Sequence, residues 1–466
     1  MKFCRPGRQR AGFGREEARV CRKNGASGWP RLFATLLLAG VVAGFSARCG
    51  GPSLAADGPA AGTGANAAAD GLIASPQPGW PQWRGPRRDG ISDETGLLPT
   101  WPEDGPRLLW KVDGLGKGWS SPIVVQERVY VTGDVAEDLI VFAFDLGGKL
   151  LWQAKNGAAW QGSFPGARAC CSYSQGRLYH LNAHGRLACL DAADGRERWA
   201  VDVLKRFNAE NITWAISECL LIDGPRVIVT PGGPQTLVSA LDKQTGRTVW
   251  TSEPLDGERA SYSSPILFHY AGRRLIANCS AGHGFGLDAA GGRLLWAVPL
   301  RNRHDTNVST PVYRDGQVFY VTPYAEEGRA YRLRAEGDRI AAEQAWQSSL
   351  DTVTGCGVLV GDTLFASGYR NQKLWLGVDW ASGRTKFEQK AFTTGAAVYA
   401  DGRLYVLDEK GAAGMLKPDA DGLHVAGRFQ LVTGRVRDAW AHPVLLDGRL
   451  YLRYHDTLWC YDVRGP

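Results

Sequence analysis

One unit recurs through the last three-quarters of the chain and constrains its fold more than any other feature. It reads as small residues, often with Pro, then an apolar run and a turn carrying Gly with Asp or Arg. A second apolar run follows, then a third ending in Leu-Asp, a turn with Gly, and a bulky aromatic. "GRLYHLNAHGRLACLDAADGRERW", closing at Trp199, and "RVIVTPGGPQTLVSALDKQTGRTVW", closing at Trp250, show it plainly. Other copies close at Trp152, Trp296 and Trp346, and Phe387 and Phe429 take the aromatic place in the next two. The aromatics recur about every 46 residues, the length of a four-stranded unit.

Residues alternate within each run and Gly/Asp turns bound the runs, so they read as strands. The Leu-Asp-x-x-x-Gly turn (Asp191 to Gly195, Asp242 to Gly246) lets a carboxylate accept backbone N–H bonds while Gly takes positive φ. Eight similar Asp residues cannot all be catalytic, so these and the closing aromatics read as structural. The last unit, "AHPVLLDGRLYLRYHDTLWCYDVRG", supplies only three strands, while "RLLWKV" at 107–112 carries Trp110 with no unit before it. Pairing the two closes a ring and removes the open sheet edges. The expected fold is all-β: an eight-bladed β-propeller of four-stranded blades over 105–466, its last blade completed by an N-terminal strand.

Charge is confined to the front. The formal net charge is +7, and residues 1–46 hold nine Lys/Arg against two Asp/Glu, which accounts for all of it. The rest is balanced, so no nucleic-acid partner is expected. Residues 32–45, "LFATLLLAGVVAGF", follow the basic stretch as an apolar run of signal-peptide length, short for a membrane span. Residues 1–46 therefore read as a signal peptide, and the mature chain is expected to be periplasmic or secreted and not transmembrane. Arg48 before Cys49 departs from the small residue a lipid-attachment site needs, so no lipid anchor is expected at Cys49. Residues 47–77, rich in Ala and Gly, read as a disordered linker, and 78–104 as an extension packed on the propeller.

"LDAADGRERW" with "GRLYHL" resembles the pyrroloquinoline-quinone (PQQ) enzyme repeat, found in quinoprotein dehydrogenases, in the outer-membrane assembly lipoprotein BamB and in many exported propellers. The segment "WPQWRGPRRDGISDETGLLPTWPEDGPRLLWKV", 80–112, is similar to the N-terminal signature of those exported propellers. The dehydrogenases build a vicinal disulfide against a Ca²⁺-bound quinone, and the resemblance extends that possibility to Cys170 and Cys171. It also implies a Glu reaching Ca²⁺ from the turn after the second strand of the next blade. Here that turn is "VTPGGPQTL", 229–237, with no acid, and no C-x-x-C-H haem site is present. No cofactor and no metal are therefore expected, with PQQ and calcium as the alternative. Seven cysteines beyond the leader and linker are an odd number for a disulfide framework, and buried free thiols are the plainer reading.

A propeller presents a funnel where the innermost strands begin. The repeat register puts Trp119, Arg168, Ser217, Tyr262, Val308, Thr354, Thr394 and Trp440 at equivalent positions there. Glu218 and His442 follow in their blades and Trp214 lies just upstream. Trp119, Arg168, Trp214, Glu218, Tyr262, Trp440 and His442 are thus the candidate ligand-binding residues, suited to a small aromatic, sugar or peptide. No P-loop, H-E-x-x-H, G-x-S-x-G or evident acid/base pair appears, so catalytic residues are not assigned. The expected function is a non-enzymatic binding or scaffold module, monomeric, for a protein, peptide or carbohydrate partner. The alternatives are a PQQ/Ca-dependent dehydrogenase and an enzyme whose site is built from funnel residues.

Overall fold

The computed structural model describes residues 69–466 apart from 325, 326, 355, 371 and 372. The signal peptide, Cys49 and the linker up to residue 68 lie outside the described residues.

Eight antiparallel four-stranded sheets follow one another along the chain. Their innermost strands are Ile123–Val125, Ser172–Ser174, Leu221–Asp223, Ile266–Tyr270, Val312–Arg314, Val358–Val360, Gly395–Ala400 and Val444–Leu446, in blades 1 to 8. Arg107–Val112 pairs with Thr457–Asp462 as the outer strand of blade 8, so the ring closes as expected. Among the described residues the α-helix is the single turn Val203–Arg206, and no helix is long and apolar enough to cross a membrane.

The repeat motif has a common mechanical basis. In seven blades the outer strand slips by one residue immediately before its closing aromatic. Such a bulge bends the strand and re-aims the side chain that follows. The aromatic then sits opposite a small residue: Trp152 faces Ala143, Trp199 faces Cys189 and Phe387 faces Gly377. The ring also reaches the next blade, whose turn glycine lies beneath it. A Cβ on Gly195 would come within 2.6 Å of the Trp152 ring, and one on Gly246 within 2.7 Å of Trp199. Both glycines have positive φ, +75° and +70°, so geometry and space each require Gly. The Asp191 and Asp242 carboxylates accept backbone N–H bonds inside their own turns. Between blades the facing sheets bury aliphatic and aromatic side chains, as where Tyr179, Leu187, Val229 and Leu241 join blades 2 and 3.

The N-terminal segment lies within the ring's central channel. Gly71–Leu72 pairs with Ile266–Tyr270 of blade 4, Trp80 bridges Val124 of blade 1, and Ile91 bridges Tyr399 of blade 7. This corrects the expected end of the linker: residues 70–77 are structured. Ala/Gly composition there does not decide the matter, because the backbone finds partners on an innermost strand, with Ile73 N–H donating to the Leu267 carbonyl at 2.9 Å.

Candidate functional site

Two cavities lie at opposite ends of the innermost strands, with the N-terminal segment between them. The larger, about 410 Å³, opens where these strands begin. Seven of the eight register positions line it: Trp119, Arg168, Ser217, Tyr262, Val308, Thr354 and Trp440. Trp214 lines it as well. Thr394 is buried instead, its hydroxyl donating to the Gly368 carbonyl at 2.9 Å.

The walls are aromatic. On one side Trp119 and Trp440 lie 4.4 Å apart between centroids, and Phe164 caps Trp440 at 5.4 Å. On the other, Trp214 meets Tyr262 at 5.9 Å, His304 meets Tyr324 at 4.7 Å, and Tyr324 meets Tyr369 at 5.6 Å. The floor is Trp83 from the N-terminal segment. Its indole N–H donates to the Thr310 hydroxyl at 2.9 Å and its ring lies 4.4 Å from His442.

Arg168 lines the cavity, but its guanidinium serves the loops around it. It donates to the carbonyls of Trp214, Gly166, Ser163 and Phe164 at 2.6–3.2 Å, tying the loop after blade 1 to the one after blade 2. Burial lowers its pKa to about 10. It acts as a positioning residue that holds Phe164 on the lip. Glu409 accepts a bond from the Trp440 indole at 3.1 Å, and burial raises its carboxyl pKa.

Two predicted ligand contacts are corrected. Glu218 and His442 are 1% and 3% exposed and lie outside the cavity lining. Successive side chains point to opposite sides of an extended backbone, so Glu218, next to Ser217, turns away from the cavity, whereas His442, two residues after Trp440, lies beneath the Trp83 floor. Glu218 accepts from the Thr230 N–H and hydroxyl at 2.7 and 2.8 Å, and burial pushes its pKa up to about 7. His442 bonds the Thr354 carbonyl at 2.7 Å, and burial drives its pKa down to about 3.

The seven cysteines among the described residues are free buried thiols, Cys170 and Cys171 among them. Cys170, Cys219 and Cys356 belong to a ladder around the channel. The His442 N–H donates to the Ser121 hydroxyl, Cys170 N–H to Cys219 sulfur, Cys219 N–H to Ser264 hydroxyl, and Thr310 N–H to Cys356 sulfur, at 2.8–3.3 Å. Sulfur and hydroxyl thus do the same work at equivalent positions. Burial raises the Cys170 and Cys171 pKa, away from reactive thiolate.

A metal-bound quinone would need converging hard ligands. Among the described residues no three His, Cys, Asp or Glu side chains form a group that could hold a metal ion. The carboxylates lining the cavity are engaged, Glu409 by Trp440 and Asp438 by Arg435. These residues do not fit a calcium-bound quinone.

Sequence reasoning missed Phe164, Tyr324, Tyr369 and Trp83. Tyr324 and Tyr369 sit in loops after the second strands of blades 5 and 6, "VTPY" and "SGYR". The same loop of blade 7 brings Glu409 to the cavity, so reading it in register was the available signal.

Known proteins share this architecture. An outer membrane protein assembly factor BamB from Alkalilimnicola ehrlichii is 26% identical over 233 residues, covering 48% of this chain and 52% of that protein. The dehydrogenase subunit of a quinone alcohol dehydrogenase from Acetobacter aceti is 23% identical, covering 74% and 57%. The chain thus spans about half the length of these curated relatives. The crystal structure of BamB from Moraxella catarrhalis superposes with a TM-score of 0.55 at 16% identity, over 76% of this chain and 97% of that one, a likeness of fold. Residues 137–389, more than half of the chain, match the PQQ-repeat family described as outer membrane protein assembly factor BamB, and the chain belongs to that family.

Proposed function

We propose that this chain is an exported binding propeller, periplasmic or secreted and monomeric, that takes a peptide, protein segment or carbohydrate into its aromatic funnel without chemistry of its own. The observation that carries this reading is the pairing of an open aromatic cavity with polar groups already committed to the fold. Arg168 is spent on four backbone carbonyls, Glu409 on Trp440 and Asp438 on Arg435. A general acid or base must be within reach of a reacting atom; Glu218 and His442 are sealed off from the cavity, and Arg168 and Glu409, which line it, are bonded to backbone carbonyls and to the Trp440 indole. Aromatic walls with few polar groups are the usual make-up of a ligand pocket. A relative named as an assembly factor favours a scaffold. One named as a quinone alcohol dehydrogenase would require a quinone site, which the residues here do not fit, so we propose neither PQQ nor calcium for this chain.

Native mass spectrometry of the chain purified from its own host tests this. A retained non-quinone ligand or partner is expected, lost in Trp440→Ala. Bound quinone with calcium, or a partner kept equally by Trp440→Ala, would overturn the proposal.

A further inference from the structure

The funnel mouth carries an unbalanced set of charges. Arg303 lies 5.3 Å from the Tyr324 ring, Arg370 lies 5.8 Å from that ring and 5.0 Å from Tyr369, and Arg437 lies 5.8 Å from Phe164. All three are exposed, and among the described residues none of their guanidinium groups pairs with a carboxylate. Of the acids nearby, Asp438 pairs with Arg435, Asp305 with Arg259, and Glu258 with His283 and Arg301, while Glu409 is bonded by the neutral Trp440 indole, so the three arginines outnumber the acid left without a cation partner. Three free guanidinium groups therefore flank a cavity walled by aromatic faces. Guanidinium forks match carboxylates, and stacking on a ring presets their orientation.

The backbone at the mouth narrows the choice further. Extended peptides are commonly gripped through unpaired main-chain groups. Here the innermost strands begin already paired to their neighbours. Trp119 N–H donates to Ala167 at 2.7 Å, Tyr262 N–H to Asn307 at 3.0 Å, and the Ser217 hydroxyl to Tyr262 at 3.2 Å. A ligand must be held through its ring faces and its charges. Sugar rings stack their C–H faces on indole and phenol, and carboxylates on such rings would meet the arginines.

Resting on the binding reading above, we propose that the funnel takes a carboxylate-bearing saccharide, a uronic-acid oligosaccharide, with its rings against the aromatic walls and its carboxylates at Arg303, Arg370 and Arg437.

The test is calorimetric titration of the purified chain with tetragalacturonate, a neutral tetrasaccharide and tetra-aspartate, repeated with Arg370→Gln and Arg437→Gln. Both arginines are exposed, so the variants should fold, and circular dichroism checks this. Tetragalacturonate is expected to bind, weakening as salt rises and losing roughly tenfold in affinity in each variant. The neutral sugar should bind weakly and without change in the variants. Equal binding of the neutral sugar, or arginine variants that bind tetragalacturonate as the parent does, would overturn the assignment of charge. Tight binding of tetra-aspartate without tetragalacturonate would overturn the saccharide class and leave the funnel reading standing. Failure of all three probes would overturn this proposal, whereas the funnel reading falls only if the host-retained partner survives Trp440→Ala.

Discussion

Glu218 offers the sharpest test of how the propeller's interior is built. It is a carboxyl held by Thr230 in a site with 1% exposure, with the Arg88 charge nearby. Moving it from its ordinary 4.5 to about 7 corresponds to about 3 kcal/mol, at about 1.4 kcal/mol per pH unit. The sign follows from proton counting. Below about pH 4.5 the group is protonated in both states and burial carries no penalty. Between 4.5 and 7 the unfolded chain releases the proton while the folded chain keeps it, so stability falls as pH rises. Above 7 the loss is complete and flat.

Glu218→Gln should remove this dependence. The amide oxygen can accept from the Thr230 N–H, and its NH₂ can donate to the Thr230 hydroxyl. The Asn278 NH₂ now donates to that hydroxyl; with the Asn278 amide turned over, the hydroxyl can donate to its side-chain oxygen, which is buried without a partner. Equilibrium urea unfolding of both proteins from pH 4 to 8 reads the difference. His442 and His180, with pKa lowered by burial to about 3 and about 4, penalise folding below pH 6.5 in both chains and cancel. The variant's advantage should grow by about 3 kcal/mol from pH 4.5 to 7 and then level off. A difference that stays flat over that range would show Glu218 ionising at its ordinary pH and refute the reasoning.

Deleting residues 105–113 should open the ring at blade 8, expose a sheet edge and cost about 3 kcal/mol or more through Trp110 alone; an unchanged thermal melt would contradict the closure. Gly195→Ala forces a Cβ into the Trp152 ring at positive φ and should cost at least about 1–2 kcal/mol by urea unfolding, so a neutral result would show the ring is free to move. Replacing Cys170 and Cys171 by Ser and Ala should cost about 1–2 kcal/mol and leave funnel binding intact by calorimetry; lost binding would give these thiols a role in the site. Expression with residues 1–56 in a Gram-negative host should yield a shorter, exported chain, and full-length protein in the cytoplasm would count against a signal peptide.

The fold was legible because the repeat carries its own mechanics. In seven blades a bulge precedes the closing aromatic, so one register aligned the blades and found seven positions of the cavity wall. Trp119 and Trp440 were found this way although their loops differ. The strands' alternation was applied less strictly than the repeat. One residue past the wall position of blade 3, Glu218 turns away towards Thr230, while His442, two residues past Trp440, is covered for another reason: the Trp83 floor lies over it and it bonds the Thr354 carbonyl. What lay outside the repeat stayed hidden. Trp83 forms the floor from a segment with no counterpart elsewhere in the chain, and Phe164 reaches the lip through a loop that Arg168 folds by collecting carbonyls.

Cys170 and Cys171 show why local pattern alone misleads at such a position. Adjacent cysteines draw attention as chemistry, because a bond between them would close a strained ring. Cys170 joins the ladder around the channel through its backbone N–H, which donates to the Cys219 sulfur. At four steps a small side chain accepts one N–H from the neighbouring blade, where converging strands leave little room. Ser121 and Ser264 do so with oxygen, Cys219 and Cys356 with sulfur, at distances that differ by at most 0.5 Å. Sulfur is the weaker acceptor but the better filler of apolar space, and Cys170 lies among Ile123, Ala167 and Leu178 in the core between blades 1 and 2. Position in the ring, rather than the pair itself, therefore bears on the residue type: Cys170 stands where Ser121, Cys219, Ser264 and Cys356 stand in other blades, and its own N–H is bonded to the Cys219 sulfur.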